Sequence, residues 1–206
     1  FCMSKSTKLP NLDNEPIAVQ TLYPSPEYFQ TWSKAQDTRK KEIDKLFDEE
    51  EPDIVGVTHT DADGYGCEVM LREAYPNKNV IIVTAAAGSG PTSLLEMGDY
   101  IADKVSRSTP VYIMDLSPNT GKGEEFIAPF KNHPVTVIDH HDWSEEDEKM
   151  IRWFADVHLN RDKCATRIVH DTLIDSPKDK ITNLAYLTED HDSWIKEDRE
   201  RSDKLS

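Results

Sequence analysis

Basic side chains are in short supply: 24 Lys and Arg stand against 39 Asp and Glu, a formal charge of −15 at pH 7. A protein that grips long duplex nucleic acid through its phosphates needs a basic surface, so no duplex partner is expected. Cysteine is scarcer still, at three in 206 residues. Phe1-Cys2 reads as a leftover ahead of an initiator Met3 and is set aside. The remaining Cys67 and Cys164 are too few for a disulfide framework, which points to a reducing, cytoplasmic setting. No apolar run is long enough to span a bilayer and no signal-peptide pattern is seen, so no membrane partner is expected. At 37% hydrophobic and 31% charged residues, the composition is nonetheless that of a folded chain with a real core.

The periodicity predicts an α/β domain. Residues 1–24, with Pro10, Pro16 and Pro24, read as an extended arm, and residues 196–206 as a charged tail or linker. Between them, residues 25–195 form one expected α/β domain that includes the N-terminal helix. Tyr28, Phe29, Trp32, Ala35, Ile43, Leu46 and Phe47 predict one or two amphipathic helices over 26–50. The aromatic trio reads either as a base-stacking platform or as core, and packing base rates favour core. Strands are predicted at 54–57, 80–83, 111–114 and 135–138, with a further short one at 153–157. Helices are predicted at 67–74, 91–105, 121–130, 163–174 and 181–187. Strands alternating with helices at this spacing imply a mainly parallel sheet with helices on both faces, preceded by the helical N-terminal segment.

Three of these strands end in acids or histidines: His59, Asp61 and Asp63; Asp115; and Asp139, His140 and His141. Ligands of α/β sheets sit at the carboxyl ends of the strands. Asp and His without Cys favour Mn²⁺, Mg²⁺ or Co²⁺ over thiolate-bound metals. On a turning loop, His59-x-Asp61-x-Asp63 can deliver carboxylates to two neighbouring ions, with Asp115 placed to bridge them. His140 can complete the second shell, and a late acid, Asp190 or Asp192, can close it. Two ions so held activate water and stabilise charge on a phosphoryl group. His141 is then left to face substrate as donor or general acid, and Asp139 to orient a histidine ring.

His59-Thr60-Asp61-Ala62-Asp63-Gly64, the strand-end Asp115, Asp139-His140-His141 and the late Asp190-His191-Asp192-Ser193-Trp194 together resemble the four ordered motifs of the DHH phosphoesterase superfamily. The resemblance spans roughly residues 53 to 195. It implies an α/β catalytic domain with two Mn²⁺ (or Mg²⁺) ions that hydrolyses phosphodiester or phosphoanhydride bonds. Catalytic roles fall to Asp115 and His141. Metal roles fall to His59 and Asp61 (first ion), Asp63 and His140 (second) and Asp115 (bridging). The fourth motif points to Asp190, with Asp192 as the alternative.

Cys164-Ala165-Thr166 stands where relatives open a helix, so its amides either hold substrate phosphate or serve packing. Cys67 reads as a small packing residue. Nothing matches the Gly-rich companion domain usual in the family, so substrate grip is expected from a missing C-terminal domain, a second copy, or elsewhere in the chain. The expected activity is a phosphodiesterase for short single-stranded or cyclic nucleotides. A single-strand exonuclease, a pyro- or polyphosphatase, and a catalytically inactive scaffold of a replication or repair assembly are the alternatives.

Overall fold

The computed structural model describes residues 26–48 and 51–192, so the predicted arm and tail lie outside the described residues. Five strands, β1 (Ile54–Thr58), β2 (Val80–Thr84), β3 (Val111–Met114), β4 (Val135–Asp139) and β5 (Asp156–Leu159), form one all-parallel sheet in the order β2-β1-β3-β4-β5. The helices are α1 (Pro26–Phe47), α2 (Ala62–Ala74), α3 (Leu94–Ala102), α4 (Gly123–Ile127), α5 (Glu145–Arg152), α6 (Ala165–Leu173) and α7 (Asp179–Asp192), with a single 3-10 turn at Ala128–Phe130.

Alternation along the strands divides the core in two. Val55, Val57, Val83, Val111, Ile113 and Val137 pack with Ile43 of α1, Met97 of α3, Phe126 of α4 and Ile151 of α5. Ile54, Val80, Ile82, Met114 and Ile138 face the other way, onto Met70 and Leu71 of α2, Ile168 and Val169 of α6 and Ala185 of α7. Both faces are therefore covered, as a parallel sheet requires. The chain leaves β1 for β2 on one side and returns to β3 on the other. The strand order thus reverses between β1 and β3, and the crevice outside their carboxyl ends is where such sheets bind ligands.

Several boundaries differ from expectation. The segment 26–50 folds as one helix of 22 residues. Tyr28 and Phe29, expected in the core, are 48% and 58% exposed. The fifth strand begins at Asp156, because backbone bonds from Trp153 to Met150 and from Phe154 to Ile151 close the turn that ends α5. Helix α7 runs through Asp192, so the late acids lie on the helix itself.

Helices α2 and α6 meet at Gly66, where an added Cβ would lie 2.1 Å from Thr166 Oγ1. Gly66→Ala should therefore cost about 1–3 kcal/mol by overpacking, read as a lower denaturant midpoint at unchanged slope. A midpoint equal to the parent's would show that the two helices can separate freely.

Candidate metal centre

The site is assembled from the carboxyl ends of β1, β3 and β4 and the end of α7. After β1 the chain folds back at once, Thr58 Oγ1 donating to the Gly64 carbonyl at 3.1 Å. His59 lies in the loop with Nδ1 2.7 Å from Asp61 Oδ2. Asp61 is the N-cap of α2, its Oδ1 accepting from the Gly64 amide at 3.0 Å. A Cβ on Gly64 would fall 2.2 Å from the His59 carbonyl oxygen, so a glycine is what lets the helix start this close to the strand. Asp63 then enters the first turn of α2, buried. Its Oδ2 and Oδ1 accept from the amides of Ala165 (2.7 Å) and Thr166 (2.8 Å), and Thr166 Oγ1 donates to the Asp63 carbonyl at 2.7 Å.

Asp115 follows β3 in the left-handed region, at φ 56°. Its amide donates to the Ile138 carbonyl at 3.0 Å, which fixes it against the end of β4. The residue is buried, yet its Oδ2 has no hydrogen-bond partner among the described residues. Strained backbone and a buried orphan acceptor are costs that a structure tolerates at functional sites. Burial, then the carboxylates of Asp63, Asp61 and Asp139, push its pKa up to about 10.

Asp139 closes β4 fully buried, with both oxygens engaged. Oδ1 lies 2.8 Å from His141 Nδ1, and Oδ2 accepts from Trp143 Nε1 at 2.6 Å. Trp143 is the residue that sequence reasoning missed; an indole four places after a buried acid is the only signal it leaves. The bond to Asp139 raises the pKa of His141, whose side chain is 46% exposed. His140 Nε2 stands 3.5 Å from Asp115 Oδ1 and 3.7 Å from Asp63 Oδ2, and its Nδ1 stands 3.8 Å from Asp192 Oδ2.

Among the described residues, donor atoms therefore converge in three overlapping groups that can hold a metal ion. They are His59, Asp61 and Asp115; Asp63, His140 and Asp192; and Asp115, Asp139, His140 and His141. The donor chemistry is all carboxylate and imidazole, which suits borderline-to-hard divalent cations. The orphaned Asp115 Oδ2 and the set of His140 contacts beyond hydrogen-bond length are what cation ligands look like before a cation joins them.

Six of the predicted ligands, His59, Asp61, Asp63, Asp115, His140 and Asp192, are brought together. Asp190 is not in any of the groups: it is buried within α7, about 200° around the helix from Asp192. Of the two alternatives, Asp192 is the acid that meets His140 and Asp63, and burial followed by the Asp63 charge raises its pKa. The expectation that Cys164 and Thr166 bind substrate phosphate is corrected. Both are fully buried, and the α6 amides at 165 and 166 are spent on Asp63. The reading of Cys67 as packing agrees with its complete burial, which pushes its thiol pKa far up and leaves it no nucleophile.

Among the described residues, no helix is long and apolar enough to cross a membrane. No protein-family model matches this chain, and no curated protein matches it. The fold is similar to that in a crystal structure of an uncharacterized protein from Helicobacter pylori G27. The two share 21% sequence identity at a TM-score of 0.53, over 70% of this chain and 44% of that one. This chain thus spans less than half of that protein's length, and at this identity the likeness is one of fold alone.

Proposed function

We propose that the chain is a metal-dependent phosphodiesterase of the DHH type, hydrolysing phosphodiester bonds in short or cyclic nucleotides. The observation that carries this reading is the pair of adjacent donor sets, His59-Asp61-Asp115 and Asp63-His140-Asp192, linked by the 3.5 Å approach of Asp115 to His140. Two Mn²⁺ ions (or Mg²⁺ or Co²⁺) bound there would lower the pKa of water and offset the charge that builds on phosphorus-bound oxygens. Asp115 is the carboxylate placed to serve both sets. Asp139 holds His141 by Nδ1 and favours its imidazolium, so that Nε2–H is presented to a phosphate oxygen. Trp143 keeps Asp139 in that orientation. The buried thiols Cys67 and Cys164 suit a reducing compartment, and the cytoplasm is the location we assign.

An inactive scaffold would have no reason to retain competent donors at every one of these positions, which favours an enzyme. The test is a Mn²⁺ titration of the purified chain with bis-p-nitrophenyl phosphate, a dinucleotide, a cyclic dinucleotide, single-stranded DNA and pyrophosphate as substrates. The expected result is Mn²⁺-dependent turnover of the diesters, abolished by EDTA. No turnover of any of them would sink the enzyme reading, and turnover of pyrophosphate alone would replace it with an anhydride hydrolase. Within the same assay, Asp192→Asn should cost about 100-fold or more in kcat/KM and Asp190→Asn less than about tenfold. The reverse order would move the late ligand to Asp190.

A further inference from the structure

Asp192 reaches the metal centre by a different route from its fellow ligands. His59, Asp115 and His140 each follow a strand directly, and Asp61 and Asp63 open α2 just after β1. Asp192 stands instead at the end of α7, which packs on α2 and α6. Helices α2 and α7 run antiparallel. At one end Lys178, just before α7, meets Glu73 of α2 at 2.6 Å, and at the other Asp192 and Asp63 converge on His140.

Apolar burial seats α7 less firmly than its neighbours. Among the described residues of α7, Ala185 is the one hydrophobic side chain that is fully buried. Ile181, Leu184 and Leu187 instead border a groove of about 770 Å³, opposite Val69 of α2. By contrast α6 buries Ala165, Ile168 and Val169, and α2 buries Cys67, Met70 and Leu71. Stabilisation by burial scales with the apolar area removed from water, so α7 is the element of this face that opens at least cost. Polar ties fasten it. The Arg167 guanidinium, held by Asp171 at 3.1 Å, lies 3.7 Å over the Tyr186 ring and donates to its hydroxyl at 2.9 Å. His170 Nε2 is 3.2 Å from Thr182 Oγ1, and Lys178 holds Glu73.

We propose that Tyr186 and Lys178 are positioning residues for the metal centre. By fastening α7 to α6 and α2 they hold Asp192 at the second donor set. The affinity of Asp63-His140-Asp192 for a cation therefore follows the docking of α7, and that of His59-Asp61-Asp115 does not. A site whose competent arrangement is only partly populated binds more weakly by that fraction. By linkage, a cation at the second set stabilises the docked helix as much as docking strengthens the cation. This coupling presupposes the two-ion centre of the proposed function but no particular substrate.

The test titrates the full chain with Mn²⁺ in a calorimeter, without substrate. The binding event that Asp192→Asn removes is the one at the second set. Tyr186→Ala combined with Lys178→Ala, both at exposed positions, should raise the Kd of that event about tenfold and leave the other within about twofold. Tyr186→Phe keeps the ring under Arg167 and should hold the second Kd within about threefold of the parent's. Hydrogen exchange on the parent gives a reading that needs no variant. Mn²⁺ should slow the amides of α7 about tenfold and leave those of α3, which bears no ligand, unchanged. An unchanged second Kd, an equal rise in both, or α7 exchange indifferent to Mn²⁺ overturns the positioning role while the two-ion centre stands. A native chain that binds no Mn²⁺ overturns both. The predicted split in a chain that hydrolyses no diester would uphold the positioning role and overturn the phosphodiesterase reading.

Discussion

Replacing Asp115 with Asn should reduce Mn²⁺-dependent diester hydrolysis by about 10³-fold or more while leaving the chain folded. Asn is the informative substitution because it is one of the few residues at ease in the left-handed region that φ 56° demands. Ala would mix backbone strain with the loss of the carboxylate. An amide of the same shape keeps the fold but cannot donate anionic oxygens to two donor sets. In the metal-free chain the substitution should cost little. With its pKa pushed up to about 10, the Asp115 carboxyl is already protonated at neutral pH.

The sign follows from linkage. The unfolded chain gives up this proton near pH 4 and the folded one only near pH 10, so the carboxyl progressively destabilises the metal-free fold across that window. Asp115→Asn should flatten that part of the pH–Tm curve. Cation binding should release the proton, so Mn²⁺ affinity should rise between about pH 6 and pH 8 in the native chain. Near-normal rates in the variant would refute the bridging role.

Asp63→Ala should produce the largest loss of stability among the site residues, about 3 kcal/mol or more, or a Tm fall of roughly 6–12 °C. Asp63 is two things at once. Its oxygens cap the amides of Ala165 and Thr166 at the start of α6, and its Oδ2 faces His140. Each carboxylate oxygen has two lone pairs, so accepting an amide does not prevent it from meeting a cation. Alanine strands two buried amides from α6 and removes a negative charge from its N-terminus, where the helix dipole favours one. Asp63→Asn keeps one acceptor and should lose about half as much stability by thermal melt, yet forfeit hydrolysis. A melt at the parent's temperature for Asp63→Ala would show that α6 is held by its apolar face alone.

What the sequence revealed and what it concealed divide along the range of the interactions. Strands β1 to β4 were legible because β-branched runs such as Val135-Thr136-Val137-Ile138 leave little alternative, and the acids and histidines that follow β1, β3 and β4 mark one edge of the sheet. The reversal of strand order between β1 and β3 then explains why His59 and Asp115 meet. Asp63 and the α6 amides are about a hundred residues apart, and no local pattern reports that bond. Hence Cys164 and Thr166 looked available for phosphate when they were not. Choosing between Asp190 and Asp192 required knowing that α7 continues through both, which turns them to different sides. Tyr28 and Phe29 have core-forming chemistry, yet they stand near the start of α1 with about half of their surface exposed.

The central claim is that one chain holds two divalent ions around Asp115. Counting Mn²⁺ per chain by isothermal titration calorimetry at neutral pH tests it most directly. The account predicts two ions for the native chain and the loss of at least one in Asp115→Asn. No binding at millimolar Mn²⁺, or the same count and affinity in the variant, would contradict it.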